Sequence, residues 1–180
     1  MKTLILFLSV LAASATPSAH AREDVNNTIL NQLKSEGIEG DLRVYVSRKV
    51  VAKYSKTTEN TNSTDNGKYN SVNRKEVLRD VINHSIRGKI VDSAVSNDDW
   101  QPVYTLYVSF NTACQDKSCA LTFTSYDGDS YTLQSAPAAL GDKSLSEIKW
   151  RNKGNVNVVL QYKKKELNQV ITKSQHERGF

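Results

Sequence analysis

Cys114 and Cys119 are the only thiols in the chain, and they stand with four residues between them in FNTACQDKSCALTF. Such a pair serves as a redox couple, half of a metal site or a structural disulfide. A redox couple favours C-x-x-C at a helix N-terminus, where the dipole lowers a thiolate pKa. Here the spacing is wider and the flanks alternate as strands. A metal site needs further ligands nearby, yet the three histidines, His20, His84 and His176, are scattered and offer no set with zinc spacing. A disulfide between Cys114 and Cys119 is therefore expected, clipping residues 115–118 between two antiparallel strands. Such a bond persists in an oxidising compartment.

The acidic residues offer a second candidate chemistry. Asp98 and Asp99 precede Trp100, and Asp127-Gly128-Asp129 forms another acid-rich turn. Glycosidases use two carboxyls about 5–9.5 Å apart across a cleft, a distance that spacing along the chain does not fix. Aspartates in turns also bond their own backbone, which accounts for both clusters without catalysis. Trp100, in a polar connection, is a candidate contact residue together with Asp98 and Asp99, since aromatics anchor binding surfaces. Ser146-Glu147-Ile148-Lys149 matches S-x-x-K, but it alternates as a strand and lacks the K-T-G partner of that chemistry. There is no G-x-S-x-G, no Gly-rich phosphate cradle and no regular calcium-ligand ladder. No catalytic residue, metal or cofactor is assigned.

The elements that must position these residues read as follows. Residues 23–37 form an amphipathic helix through Val25, Ile29, Leu30 and Leu33, stopped at Gly37. Alternation then marks strands across 41–54, with a turn or bulge at Ser47-Arg48-Lys49. Residues 55–72 are almost entirely polar and read as a long loop. Asn73 with Glu76 resembles a capping pair, and Val77, Leu78, Val81, Ile82 and Ile86 make a helical stripe ending at Gly88. Beyond Lys89 the period becomes two, giving strands in KIVDSAV, PVYTLYVSF, CALTFTSY and SYTLQ, with Asp127-Gly128 as a hairpin signal. EIKW and NVNVVLQYK are expected to pair around 152–155. A short helix is placed at 166–172, and residues 173–180 are read as a frayed tail.

MKTLILFLSVLAASATPSAHA opens the chain with one charge, an apolar run and small residues, the layout of a secretory signal peptide over residues 1–21. The run is too short for a membrane span, which needs about 20 residues. The formal charge of +5 loses only Lys2 with that segment. Basic and acidic residues alternate thereafter, a pattern of solvated surface rather than a nucleic-acid footprint.

The expected architecture is one α+β domain over residues 22–172: a curved antiparallel β-sheet of meander hairpins with two amphipathic helices packed on one face. A β-barrel or β-sandwich with an N-terminal helix is the alternative. The expected function is non-enzymatic: a periplasmic or secreted binding or accessory protein acting on a protein or cell-envelope partner, without a membrane span. A small exported hydrolase using paired carboxylates, or a carrier of an apolar ligand, are the alternatives. Alkylation of the unfolded chain without reductant should leave Cys114 and Cys119 unlabelled by mass, and labelling of either would remove the disulfide.

Overall fold

A computed structural model describes residues 21–63, 69–98, 100–149 and 157–179. The leader expected at 1–21, apart from Ala21, lies outside the described residues, as do Asp99, Trp150 and the turn at 152–155. The chain runs β1 (Arg22–Asp24), α1 (Asn27–Ser35), β2 (Arg43–Val46), β3 (Val50–Ser63), β4 (Tyr69–Ile82), β5 (Gly88–Asp98), β6 (Gln101–Ser109), β7 (Leu121–Ser125), β8 (Thr132–Ser135), β9 (Ala139–Leu140), β10 (Lys143–Lys149), β11 (Leu160–Lys163) and α2 (Lys164–Glu177). The protein is α+β and mostly antiparallel, but its strands form two sheets where one was expected. Seven strands order as β1-β11-β2-β5-β6-β7-β8, and four as β4-β3-β10-β9.

The larger sheet curls into a half-barrel. Its edge strand β8 is bonded back to the residues leading into β11, because Leu133 N–H donates to Val158 O and Leu160 N–H to Tyr131 O, each at 2.9 Å. A reciprocal corner at Ser47 divides the two sheets. Ser47 N–H donates to Val159 O at 2.8 Å, while Val159 N–H donates to Ser47 Oγ at 2.9 Å. The chain thus leaves β2 in one sheet and enters β3 in the other.

Alternation explains the core. Val44 and Val46 of β2, Leu106 and Val108 of β6, and Phe123 of β7 are essentially inaccessible, and they meet Leu30 and Leu33 of α1 and Val50, Ala52 and Tyr54 of β3 in one cluster. These side chains fill the concave face. Asn26 caps α1 by accepting Ile29 N–H at 3.0 Å.

Five expectations need correction. The helix expected over 23–37 begins only at Asn27, and Arg22–Asp24 is instead a strand paired with β11. The helix placed over 73–88 is strand β4, paired residue by residue with β3 from Val50↔Ile82 through Tyr54↔Leu78 to Ser63↔Tyr69. Its adjacent apolar pairs mimic a helical stripe because one member of each faces each side of the sheet: Ile82 is buried, whereas Val77 and Leu78 are 52% and 44% exposed. Long-range pairing outweighs a local 3.6-residue pattern. The polar loop at 55–72 is largely the far half of the same hairpin, with residues 64–68 outside the described residues. The segment is polar because Lys56, Thr57 and Thr58 are exposed beyond the core. Among the described residues EIKW does not pair with the strand after it: β10 pairs with β3 (Ile148↔Ala52) and β9, while β11 pairs with β1 and β2. Period-two patterning identifies a strand and not its partner. Finally, the tail is ordered as α2 to Glu177, and Arg178 is tied to Glu36 Oε2 at 2.9 Å and Ser174 Oγ at 2.5 Å.

Tyr45 breaks the alternation of β2 for a reason that only packing reveals. It faces away from the barrel and is buried there, with its hydroxyl donating to the Glu166 carboxylate of α2 at 2.8 Å. Arg22 and Lys163 lie over its ring at 4.6 and 4.7 Å from the centroid, an ordinary cation–π range. Tyr54 presents the opposite case. It is wholly buried and its hydroxyl has no hydrogen-bond partner among the described residues. Burial, then the nearby Asp80, pushes its pKa up to about 12, and burial also raises the Asp80 carboxyl.

The same substitution should therefore act with opposite sign at the two sites. Tyr45→Phe loses a hydrogen bond to a carboxylate and should cost about 1.5–2 kcal/mol. Tyr54→Phe removes an unsatisfied buried hydroxyl and should be neutral or stabilising by up to about 1 kcal/mol. Denaturant unfolding of both variants checks the pair, and equal destabilisation would refute the contrast.

Candidate functional site

The connection from β6 to β7 is built to be rigid. Cys114 and Cys119 form a disulfide with Cα atoms 6.2 Å apart. Ser109, buried at the end of β6, donates its hydroxyl to Cys114 O at 2.5 Å. Asn111 Oδ1 accepts Ala113 N–H at 2.9 Å, and Asp116 Oδ1 accepts both Ser118 N–H at 2.7 Å and its hydroxyl at 2.5 Å. Those hydroxyl and amide donors hold the Asp116 carboxyl below the usual range. Lys117 then ties the loop to the sheet, 3.2 Å from Asp92 Oδ2 and 3.9 Å above the Tyr107 ring. Asp116 lies near both sulfurs, but sulfurs joined in a disulfide carry no thiolate for a metal. The pair is a structural clip, as its spacing suggested.

Trp100 sits at the opposite end of the same sheet. Asp98↔Gln101 is the last pair of the β5–β6 hairpin, so Trp100 belongs to a two-residue turn. It is fully exposed and has φ +89°, the only positive φ outside glycine among the described residues. Two-residue hairpin turns demand positive φ and normally recruit Gly or Asn there. An L side chain held in that region costs of order 1–3 kcal/mol. The tip therefore carries a strained tryptophan that buries nothing within the chain.

Antiparallel order brings the second acidic turn to the same end. The Tyr104↔Ser125 pair sets the β7–β8 turn, residues 126–131, near the start of β6. Asp127 is spent on that turn, accepting Ser125 Oγ and Asp129 N–H at 2.9 Å each. Those bonds, the amide first, depress its carboxyl below the usual aspartate range. Gly128 has φ +79°, and a Cβ there would stand 2.3 Å from Asn27 Nδ2. Asn27 N–H donates to Gly128 O at 2.7 Å, and Tyr131 donates its hydroxyl to Asn27 Oδ1 at 2.5 Å, so the turn is docked on the start of α1. Tyr126 and Val95 are 55% and 66% exposed. This end of the sheet thus gathers Trp100, Tyr126, Val95, Asp98 and Asp129, of which sequence reading singled out Trp100 and Asp98 as contacts. Tyr126 and Val95 escaped notice because exposed and buried members of an alternating strand look alike in sequence.

The remaining candidates are apart from this end. Ser146 of β10 donates its hydroxyl to Lys53 O at 3.0 Å, a sheet contact, and His84 and His176 are exposed in a turn and in α2. No protein-family model, curated protein or solved structure matches the chain.

The strained tip generates a direct expectation. Trp100→Gly should stabilise the fold by about 1 kcal/mol, because glycine tolerates φ +89° and no burial is lost. Trp100→Ala, which keeps the backbone penalty, should leave stability unchanged within about 0.5 kcal/mol. Chemical denaturation that ranks the glycine variant below wild type would show the turn to be unstrained.

Proposed function

We propose that the chain is an exported, non-enzymatic binding or accessory protein that engages a protein or cell-envelope partner through the β5–β6 tip. The observation that carries this reading is Trp100: fully exposed, at φ +89°, in a turn where glycine would fit better. A residue that weakens the fold without packing against it is accounted for by a contact outside the chain, and tryptophan is among the residues most enriched at binding hot spots. The acidic groups support binding over hydrolysis, since Asp127 is committed to its turn. The side chains filling the concave face support an external contact over a carried apolar ligand. The disulfide accords with a periplasmic or secreted setting. Among the described residues no helix is long and apolar enough to cross a membrane.

The immobilised chain, presented with envelope extract, should retain a specific partner, and Trp100→Ala should reduce that retention at least tenfold with circular dichroism unchanged. Equal retention by both proteins would remove Trp100 as the contact, and no retention by either would remove the binding role.

A further inference from the structure

β5 is paired along its whole length on one side only. On the β6 side its ladder runs from Lys89↔Ser109 to Asp98↔Gln101. On the β2 side it stops after Val44↔Gly88 and Arg43↔Lys89, because β2 begins at Arg43, where the chain arrives from the short helical turn Glu39–Asp41. A strand bonded on one side presents alternate N–H and C=O groups to the other. The short helical turn Glu39–Asp41 covers the first part of that edge, with Gly40 packed near the Ile90 carbonyl. From Asp92 to Asp98 no backbone hydrogen bond is made on the β2 side among the described residues. Ser93 N–H is met instead by the neighbouring Asp92 Oδ1 at 2.8 Å.

This edge borders a groove rather than open solvent. A cleft of about 390 Å³ runs beside residues 89–93, against Glu39 and Gly40. A smaller one of about 80 Å³ continues it beside Ser93, Ala94 and Val95, walled by Leu30, Asn31 and Lys34 of α1 and floored by Tyr104. The bulge between Ile90 and Asp92 sets the alternation beyond it. Ser93 and Val95 pair with Leu106 and Tyr104 on the face toward α1, while Asp92, Ala94, Ser96 and Asp98 share the other face.

The geometry points to a binding site for an extended peptide segment of a partner protein, added as a strand to β5 in the groove beside α1. Its residues facing α1 would be apolar, and its residue opposite Asp98 would be basic, since Asp92 is held by Lys117. This deepens the binding role proposed above and rests on it. Main-chain pairing would supply affinity, and side chains at alternate positions would supply selectivity. The charge pattern selects the occupant. Ser93–Asn97 is uncharged and is followed by the Asp98 carboxylate, with Glu39 lining both clefts beside Lys89 and Lys34, while Asp92 is already held by Lys117. A second copy of this chain fits poorly. In a two-fold register centred on Val95, Asp92 faces Asp98, and centred on Ala94 it faces Ser96; neither register sets a cation opposite either acid.

The test uses the full chain and a labelled peptide, Lys-Val-Thr-Val-Thr-Val-Lys, with a Glu-ended counterpart. Fluorescence anisotropy should show the Lys-ended peptide binding at least tenfold tighter. Asp98→Lys should reverse that preference, with amide NMR shifts centred on residues 92–98. Methylating alternate backbone nitrogens of the peptide should abolish binding for one set of positions and leave it within twofold for the other, the signature of strand pairing. Absence of binding, equal binding of both peptides, or equal binding of both methylated sets would overturn the site. Self-association that the peptide does not compete away would also overturn it, in favour of a second copy. Retention of a Trp100-dependent envelope partner by a chain that binds no peptide would end this inference and leave the binding role standing.

Discussion

The residues from Val158 to Tyr162 hold the fold together, because three distant segments hydrogen-bond to them. β2 pairs along one side, from Leu160↔Val46 to Tyr162↔Val44. On the other side the end of the half-barrel meets Val158–Leu160, and β1 takes over at Gln161. All of these are contacts of high sequence separation, so loop-closure entropy is spent before any of them forms. Once formed, they fix the curl of the large sheet, seat the N-terminal strand and aim α2, which begins at the residue after β11. The Tyr45–Glu166 bond and the Tyr162 hydroxyl on Glu23 Oε2 at 2.6 Å follow from that placement.

The late start of β2, at Arg43, has an equal consequence for the surface. Because β2 is only four residues long, β5 outruns its neighbour and the β5–β6 hairpin stands beyond the core. The disulfide loop braces the far end of that hairpin through Lys117, Asp92 and Tyr107. A long hairpin clamped at its base and carrying a strained aromatic at its tip is a means of presenting one side chain at a fixed place. Natural sheets shield such edges with charge and bulges, and β5 has both, in Asp92 and in the irregularity beside it.

Legibility in the sequence varied by element for physical reasons. Strands β6 and β7 were legible because each buries one face and so alternates. The disulfide was legible because two cysteines without histidine partners or a C-x-x-C spacing have few other uses. β4 was misread because the part of an edge strand beyond the core is exposed on both faces and has no obligation to alternate, and its Val77-Leu78 and Val81-Ile82 pairs then fall by accident on a helical stripe. Trp100 and Asp98 were singled out from their polar surroundings alone. Tyr126 and Val95, which complete that end of the sheet, depend on which strands lie side by side.

By itself the sequence determined the local features: period-two strands, the first helix, the Asp127-Gly128 turn and the cysteine clip, all set by neighbours within a few residues. Tertiary structure decided the division into two sheets, the partners of β10 and β11, the strand identity of residues 73–82, and the free edge of β5. Those outcomes rest on hydrogen bonds between residues far apart in the chain. Any strand backbone can offer such bonds to any other, so only the assembled geometry selects among them.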